Sequence, residues 1–395
     1  MDPSDAQPPA IGQRILIRGV NWLGDAVMTT PALQRLREAH PEAHLTLLTH
    51  EKLADLWQAH PTLDAVMTYA SGESPWHVAQ RLRRERFGIG LTLPNSPRSA
   101  LELWLAGIPQ RVGYRAVWRA WFLTHPLRAR PGAMRMHKRS ASEINRLIRE
   151  AASSPRSPIS PAVHQMREYL RLVAALGANP EPVAPRLYVS DAEAEATGRR
   201  LGVLAAHEAK PNPLFGLNGG AEYGPAKRWP SERFMAAAVE LQRRTQCRWI
   251  VFGDQGDQDL ANHISSAIEQ AAGPRRASAP SHSVVNLAGA TTLRELCALL
   301  RLCRVLLTND TGPMHVAAAV GTPVVVPFGS TSPELTGPGL PGDNQHRLLR
   351  TGVPCAPCFR RQCPIDFRCM TSITVEQAVE AVLEVTGVDR AGGGR

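Results

Sequence analysis

The most constraining feature of the sequence is an apolar strand that runs into a tight polar turn and then into a helix. The apolar residues 305–307 are followed by Asn-Asp-Thr-Gly-Pro-Met-His at residues 309–315 and by the small-residue run 316–320. Gly312 permits the turn, and Pro313 stands where a first helical residue would sit. Because the first amides of a helix have no intrahelical partner, this layout predicts an anion site.

A second strand and polar loop follow directly and bear on how the turn is interpreted. An isolated Asp-Thr-Gly is more often a helix cap, in which Asp310 and Thr311 bond only to backbone amides. Here residues 321–338 form another apolar strand, Val-Val-Val-Pro-Phe, that ends in a loop rich in Gly, Pro, Ser and Thr. Each exposed contact at a helix N-terminus contributes only about 0.3–1 kcal/mol, so a diphosphate needs several converging donors. Two adjacent loops of this kind favour such a site.

Strand and helix patterns alternate along the chain in two blocks. The first begins with the apolar strand at residues 14–18, and the second with the strand at residues 214–217. Alternation of this kind predicts an α/β fold with parallel, doubly wound sheets that bind ligands at the carboxyl ends of their strands. A chain of 395 residues can hold two domains, each with its own core. We predict a disordered tail at 1–12, an N-terminal domain at 13–185, a C-terminal domain at 186–373, and a C-terminal helix and tail at 374–395, with that helix a candidate to cross back to the N-terminal domain.

Charge and cysteine content narrow the functional class. A formal net charge of +10 favours an anionic partner, either nucleic acid, a membrane surface or a polyanionic glycolipid. No apolar run approaches the roughly 20 residues needed to span a bilayer, and residues 1–12 lack an apolar signal core. We therefore expect a cytoplasmic protein. Seven cysteines, an odd number, argue against a disulfide framework in such a protein.

Three motifs at long separations carry a resemblance to a known family. They are Asn-Trp-Leu-Gly-Asp-Ala-Val-Met at residues 21–28, Gly-Gly-Ala-Glu-Tyr-Gly-Pro-Ala-Lys-Arg-Trp-Pro at 219–230, and the run 309–338. Together they resemble the ADP-heptose:lipopolysaccharide heptosyltransferases, most closely the heptosyltransferase II type. The resemblance implies a GT-B fold, with two Rossmann-like domains facing a central cleft. It also implies inverting transfer of L-glycero-D-manno-heptose from ADP-heptose to the heptosyl-Kdo2-lipid A core.

The glycine- and lysine-bearing loop is the second part of the predicted donor site. Gly219 and Gly220 let the backbone approach a ligand closely, and Lys227 can reach a phosphate as a compact point charge. In the family the matching lysine contacts the diphosphate, whereas without the resemblance a lysine here would be read as a solvated surface residue. The predicted donor contacts are Gly219, Gly220, Lys227, Asp257, Asp310, Thr311, Gly312 and His315.

Asp257 leaves three uses open. It lies four residues past Gly253, at the end of a predicted strand, which matches the family's ribose-binding position. A carboxylate that accepts from both ribose hydroxyls is also the device of dinucleotide sites. It could instead cap the next helix, or hold a metal as part of the Asp-Gln-Asp sequence that ends at Asp259.

Asp25 is the predicted catalytic residue, because the family's general base falls on this position. In an inverting transfer the acceptor hydroxyl attacks opposite the departing ADP and needs a base on the acceptor side. A helix N-cap is the alternative. We take Asn21 and Trp22 in the same loop, together with Arg115 and Arg119, as acceptor contacts.

A basic, aromatic stretch spans residues 98–139. It has nine Lys or Arg against the single acid Glu102, with Trp104, Trp118 and Trp121 interleaved. It could be a nucleic-acid face, a surface that meets anionic headgroups, or a solvated charged face. We expect the partners to be the ADP-sugar and a lipid A-core acceptor at the inner membrane surface, with peripheral membrane contact and no nucleic acid.

Four of the cysteines fall within fifteen residues, as C-x2-C-x4-C-x5-C. Cys355, Cys358, Cys363 and Cys369 could hold zinc, but the second pair departs from a usual C-x-x-C, and buried or loop thiols are the favoured interpretation. We therefore expect no metal and no cofactor beyond the donor ADP-heptose. Two rival functions remain open, a related transferase with another nucleotide sugar or acceptor, and a non-catalytic, basic, nucleic-acid-binding α/β protein.

Overall fold

The computed structural model describes residues 14–116, 118–130, 132–134, 136–150, 159–204, 212–272 and 283–387. The chain divides into two compact units, Met1–Met134 with Ala162–Tyr188, and Arg135–Pro161 with Val189–Arg395. The predicted disordered tail at 1–12 lies outside the described residues.

The first unit is built on a parallel sheet of six strands. The strands are β1 (Arg14–Arg18), β2 (His44–His50), β3 (Ala65–Tyr69), β4 (Ile89–Thr92), β5 (Gln110–Tyr114) and β6 (His125–Leu127). Their order across the sheet is β3-β2-β1-β4-β5-β6. The helices of this unit are α1 (Leu23–Met28), α2 (Thr30–Ala39), α3 (Pro75–Arg84), α4 (Pro97–Leu105) and, after α5 of the second unit, α6 (Met166–Ala174).

The second unit repeats this plan. Its strands are β7 (Leu214–Asn218), β8 (Arg248–Phe252), β9 (Val284–Asn286), β10 (Val305–Thr308), β11 (Val324–Pro327) and β12 (Arg347–Leu349). They are parallel and ordered β12-β11-β10-β7-β8-β9, the same topology as in the first unit. Its helices are α5 (Ala141–Glu150), α7 (Asp191–Arg200), α8 (Ser231–Thr245), α9 (Gln258–Ala272), α10 (Leu293–Leu302), α11 (Gly312–Ala319), α12 (Pro333–Thr336), α13 (Arg368–Thr371) and α14 (Val375–Thr386).

Both sheets are covered by helices, which explains why their central strands read as continuous apolar runs. Every residue of β7, β8, β10 and β11 is buried. Large aromatic rings fill the core of the second unit, where Phe215 meets Trp249 edge-on at 5.6 Å and Trp229 meets Phe234 at 5.0 Å. The predicted α/β class with parallel, doubly wound sheets is therefore what the structure has.

The unit boundaries differ from the predicted domains in one segment. The change of unit near residue 188 lies close to the predicted 185, but residues 135–161 belong to the second unit. The reason is local packing, because Ile144 of α5 is buried against Cys355 and Cys358. The backbone of Arg139 also donates to the Cys358 carbonyl at 3.0 Å. The intervening residues 151–158 are not among those described.

The C-terminal helix α14 packs its apolar face in the core of the second unit. It begins with a capping box between Thr374 and Gln377, and its apolar face buries Ala378, Val379 and Val382 in the core of the second unit. That this helix also crosses back to the N-terminal domain stays a prediction.

The strand order fixes where each unit can bind a ligand. In both sheets the first and fourth strands of the unit are neighbours, β1 beside β4 and β7 beside β10. The chain reverses its winding there, and the loops at the carboxyl ends of these strands leave a crevice in which open α/β sheets bind ligands. The loops after β1 and β7, and the one after β10, carry the three motifs found in the sequence.

Candidate active site

One buried side-chain amide joins the loops at the crevice of the second unit. Asn309 is completely buried. Its Nδ2 donates to the Gly219 carbonyl at 2.7 Å, and its Oδ1 accepts from the Trp229 backbone at 2.9 Å. The loop after β10 is thereby locked to both ends of the glycine- and lysine-bearing loop. Sequence analysis did not assign Asn309 a role, although a polar residue directly after a buried strand was the available signal.

Lys227 and Asp310 form a buried ion pair in this crevice. The Lys227 Nζ lies 2.7 Å from the Asp310 Oδ2, and the two side chains are only 14% and 4% exposed. The hydroxyl of Thr331, from the loop after β11, also donates to the Asp310 Oδ2. The Lys227 ammonium lies 4.9 Å from the centre of the Tyr223 ring, within cation–π range. The structure thus brings two of the predicted donor contacts together and adds Thr331 and Tyr223, which were not predicted.

Helix α11 begins beside this ion pair. Its N-cap is Thr311, whose backbone is extended and whose side chain makes no capping hydrogen bond. Asp310 is engaged with Lys227 and Thr331, so the simple helix-cap interpretation of the Asp-Thr-Gly turn does not describe it. Gly312 opens the helix, and His315 is buried within it. Asp310, the partner of the Lys227 ammonium, directly precedes the N-cap Thr311. The ammonium group and the positive end of the helix dipole therefore lie close together, an arrangement suited to an anion.

Asp257 packs against Gly220 at the carboxyl end of β8. A Cβ added at Gly220 would lie 1.9 Å from the Asp257 Oδ2, so only glycine allows this approach. Burial, and then the charge of Asp254, raise the pKa of the Asp257 carboxyl above its ordinary value. The Arg228 guanidinium lies 3.7 Å from the Asp257 Oδ1. A half-buried carboxylate at a loop–helix junction beside a glycine suits a ligand hydroxyl.

The two other uses of Asp257 find less support. The cap of the turn before α9 is Asp254, whose Oδ1 accepts from the amides of Gly256 at 2.7 Å and Asp257 at 3.1 Å. Across the described residues, no three His, Cys, Asp or Glu side chains are arranged to hold a metal ion. A ribose contact therefore stays our prediction for Asp257.

We expect Asp257→Asn to separate ligand binding from stability. Because the pKa of Asp257 is higher in the folded chain than in the unfolded chain, ionisation at neutral pH favours unfolding. The variant should therefore have an equal or higher free energy of unfolding at pH 7, and the gain should shrink as the pH falls toward the ordinary carboxyl pKa. Its ADP affinity should fall about tenfold, the worth of one charge-assisted hydrogen bond. Calorimetric ADP titration and denaturant unfolding measure the two effects.

The matched control for this prediction is Asp254→Asn. Asp254 caps the turn through its side-chain oxygen, and asparagine caps about as well as aspartate, so this variant should keep most of its stability. ADP affinity should change little. A result in which Asp257→Asn unfolds more readily while binding ADP normally would make Asp257 a structural residue.

In the first unit, Asp25 lies in the first turn of α1. The N-cap of α1 is Trp22, which makes no side-chain capping bond, so Asp25 is not the cap. The Nε2 of Gln165 donates to the Asp25 Oδ1 at 3.3 Å and to the Tyr169 hydroxyl at 2.9 Å. Burial, followed by the charge of Asp25, raises the pKa of Tyr169 well above its ordinary value. Two residues near the start of α6, neither of them predicted, therefore position the candidate base.

The two predicted acceptor contacts in the Asp25 loop, Asn21 and Trp22, are exposed. Asn21 is exposed and its Oδ1 accepts from the Tyr69 hydroxyl, while Trp22 is 49% exposed. The Tyr69 ring lies 4.1 Å from the guanidinium carbon of the buried Arg18. Asn21 and Trp22 are therefore held at the carboxyl end of the sheet with surface available for a substrate.

Arg115 and Arg119 occupy different environments. Arg115 is exposed just after β5, as a ligand contact requires. Arg119 is completely buried, and its guanidinium donates to the Pro94 carbonyl at 2.7 Å, to the Thr92 hydroxyl at 3.1 Å and to the Tyr114 carbonyl. Burial lowers the pKa of Arg119 to about 10. The Arg119 side chain thus lies inside the fold, with both terminal nitrogens bonded to residues at or just after the ends of β4 and β5, which does not suit the predicted acceptor contact.

Comparisons with known proteins agree with this architecture. The sequence profile of glycosyltransferase family 9 (heptosyltransferase) matches residues 133–367. The chain is 28% identical over 340 residues to lipopolysaccharide heptosyltransferase 2 of Escherichia coli K12, covering 82% of this chain and 85% of that protein. The solved structure of E. coli ADP-heptose LPS heptosyltransferase II is 25% identical in sequence and has a TM-score of 0.74. The match covers 96% of this chain and 100% of that chain.

A further solved structure adds to the likeness in fold. E. coli heptosyltransferase WaaC with ADP-2-deoxy-2-fluoro heptose is 15% identical with a TM-score of 0.58, over 94% of this chain and 99% of that chain. At this identity the likeness supports the fold alone. Together with the two six-stranded sheets, the match to heptosyltransferase II confirms the predicted α/β fold of the GT-B type.

Proposed function

The chain belongs to glycosyltransferase family 9, and from this premise we propose that it moves L-glycero-D-manno-heptose from ADP-heptose to the heptosyl-Kdo2-lipid A inner core. The transfer inverts the anomeric configuration. The observation that supports the proposal is the Lys227–Asp310 ion pair at the start of α11, because it holds an ammonium group close to a helix N-terminus, and a leaving diphosphate could bind to both.

The second unit binds the donor in this proposal. The diphosphate accepts hydrogen bonds from the Thr311 and Gly312 amides and from Lys227, which turns from Asp310 toward the phosphate. Asp257 accepts from the ribose hydroxyls beside Gly220, and Asp310 accepts from hydroxyls of the sugar. The positive charge that holds ADP also stabilises it as a leaving group, since negative charge develops on its terminal phosphate during transfer.

The first unit activates the acceptor. The acceptor hydroxyl attacks the anomeric carbon, the bond from that carbon to the ADP oxygen breaks, and the hydroxyl proton passes to the Asp25 carboxylate. Gln165 keeps that carboxylate in one orientation, as its 3.3 Å contact indicates. General base catalysis of this kind typically contributes 10²–10⁴-fold to the rate.

A coupled ADP-release assay tests the proposal. ADP should appear only when ADP-heptose and heptosyl-Kdo2-lipid A are both present, and replacing ADP-heptose by another nucleotide sugar should abolish release. Equal release with a different sugar or acceptor would support the related-transferase alternative. The nucleic-acid-binding alternative is not favoured, since the family and the relatives are transferases.

We also propose that the enzyme contacts the membrane surface that carries its acceptor. Within the described residues no helix is long and apolar enough to cross a bilayer. Two neighbouring tryptophans in the first unit are unusually exposed, Trp118 at 77% and Trp121 at 83%. Exposed aromatic rings in a segment that also carries the exposed Arg115 and Arg128 suit the interface between headgroups and acyl chains.

Much of the basic character of this stretch is used inside the fold. Four arginines of residues 98–139 in the first unit bond to carboxylates, a hydroxyl or backbone carbonyls, namely Arg98, Arg111, Arg119 and Arg130. The electrostatic part of membrane attraction should therefore be smaller than the nine basic residues of the sequence suggested. The aromatic part should dominate.

We expect Trp118→Ala/Trp121→Ala to reduce binding to vesicles of phosphatidylethanolamine and phosphatidylglycerol by about tenfold or more, because two large apolar side chains no longer enter the interface. Co-sedimentation measures the bound fraction.

Trp76→Ala is the matched control. Trp76 is also exposed, at 50%, but lies on α3, so its substitution should leave vesicle binding unchanged. Raising the salt should weaken binding less than the double substitution does. Vesicle binding that disappears with salt but ignores the tryptophans would contradict this proposal.

A further inference from the structure

Four cysteines of the second unit converge on one small pocket that the proposed transfer does not use. Cys355, Cys358, Cys363 and Cys369 all line it, together with Ile144 of α5 and Arg368 of α13. All four thiols are free. The other three cysteines of the chain lie singly in the core, at Cys247, Cys297 and Cys303. The convergence is therefore a property of this segment and not of cysteines in general.

The backbone around these cysteines is shaped to present them. Phe359, directly after Cys358, and Phe367, two residues before Cys369, have φ angles of 53° and 56°. Bulky side chains rarely adopt this left-handed conformation, and strain of this kind concentrates at functional sites. The Phe367 amide donates to the Cys363 Sγ at 3.2 Å.

The chemistry of the pocket suits a metal better than an empty cluster of thiols. Cys355, Cys358 and Cys369 are buried and Cys363 is half-buried, so the four sulfurs share one small pocket that largely excludes water. A thiophilic cation would displace their protons and satisfy the sulfurs together.

We propose that Cys355, Cys358, Cys363 and Cys369 form a four-thiolate site for a divalent metal of the Zn²⁺ class. Four sulfur ligands in tetrahedral geometry are the usual composition of a closed structural zinc site. Among the described residues no three potential ligands are already arranged to hold a metal ion, so the proposal requires the thiol side chains to turn toward the centre of the pocket on binding. Each of the four lies on a loop or in the short helix α13, where such a rotation moves no strand of the sheet.

The site would support the loop that carries Lys227. The Ser330 carbonyl accepts from the amides of Cys358 at 3.1 Å and Phe359 at 2.7 Å. The Phe359 carbonyl accepts from the Tyr223 hydroxyl at 2.8 Å, and the Arg361 carbonyl accepts from the Ala226 amide at 3.0 Å. The cysteine segment thus lies directly behind both loops of the donor crevice. Metal bound there would order that crevice without touching the substrate.

Metal content and cobalt substitution of the full chain test this proposal. Protein purified without chelator should contain one zinc or similar ion per chain by elemental analysis. After removal of the metal, titration with Co²⁺ should give the thiolate-to-cobalt charge-transfer band and the intense visible bands of tetrahedral cobalt, saturating at one ion per chain. Cys358→Ser and Cys369→Ser should each weaken Co²⁺ binding at least tenfold. Cys303→Ser, a buried cysteine outside the pocket, should leave it unchanged.

Two results would overturn the proposal. One is metal-free wild-type protein that gives no cobalt band while all its thiols react after unfolding. The other is a disulfide between any of the four cysteines in freshly purified protein. The wild-type titration stands even if a variant fails to fold. These readouts do not depend on heptosyl transfer, so a failed metal site and a failed transferase assignment remain distinguishable. ADP affinity before and after metal removal tests the link to the donor crevice, where we expect a several-fold loss that Zn²⁺ restores.

Discussion

Replacing Lys227 with methionine is expected to weaken ADP binding roughly a hundredfold. The ammonium group makes charge-assisted hydrogen bonds to phosphate in the proposed complex, each worth roughly 1.5–3 kcal/mol, and 1.4 kcal/mol corresponds to a factor of ten in affinity. Methionine retains the apolar length of the side chain but removes the charge. Isothermal titration of the purified variant with ADP measures the loss, and transfer activity should fall with it.

The design must separate lost binding from lost stability. Lys227→Met leaves the Asp310 carboxylate buried without the cation that lies 2.7 Å away in the structure. Removing one partner of a buried ion pair typically lowers the free energy of unfolding by about 3–5 kcal/mol. The double variant Lys227→Met/Asp310→Asn removes both charges, so it should recover most of the stability and still bind ADP weakly.

Lys138→Met is the matched control, because Lys138 is exposed. A folded Lys227→Met protein with wild-type ADP affinity would contradict the donor assignment.

Asp25→Asn should lower kcat by roughly 10²–10⁴-fold and leave the affinity for ADP unchanged. The asparagine Oδ1 can still accept from Gln165, so the local geometry should persist while the proton acceptor is lost. The measurement is the coupled ADP-release rate at saturating donor and acceptor, beside an ADP titration of the same protein.

Asp55→Asn is the matched control for this substitution. Asp55 lies in the same unit and likewise accepts from a glutamine amide, that of Gln58 at 2.9 Å. It has no proposed part in the reaction, so its variant should turn over at the wild-type rate. If Asp25→Asn also turns over normally, another group must accept the proton. If it loses ADP affinity instead, Asp25 acts on folding and not on chemistry.

The sequence was most informative where local chemistry and fold coincide. The apolar run at 14–18 coincides with β1, Arg14–Arg18, because a strand buried on both faces has few alternatives to a continuous apolar pattern. Lys227 and Asp310 were named from motifs more than eighty residues apart, and the structure places them in contact. Their meeting follows from topology, since β7 and β10 are neighbours and their loops leave the sheet at the same edge.

The residues that sequence analysis misplaced depend on long-range packing. Arg119 looked like a surface cation within a basic stretch, yet its partners are the Thr92 hydroxyl and backbone carbonyls that no sequence pattern reveals. Residues 135–161 join the second unit through contacts between α5 and the cysteine segment about two hundred positions later. Gln165 and Tyr169 reach Asp25 from α6, and nothing in their own spacing distinguishes them from an ordinary amphipathic helix.

The account depends most on a sugar being passed from a donor held by Lys227 to an acceptor activated by Asp25. Mass spectrometry of the heptosyl-Kdo2-lipid A acceptor after incubation with ADP-heptose tests this directly. We predict a gain of one heptose with the wild-type protein, a strongly reduced gain with Asp25→Asn despite normal ADP binding, and a reduced gain with Lys227→Met that more donor partly restores. An acceptor that gains no heptose from the wild-type protein, or gains it equally with both variants, would contradict the account.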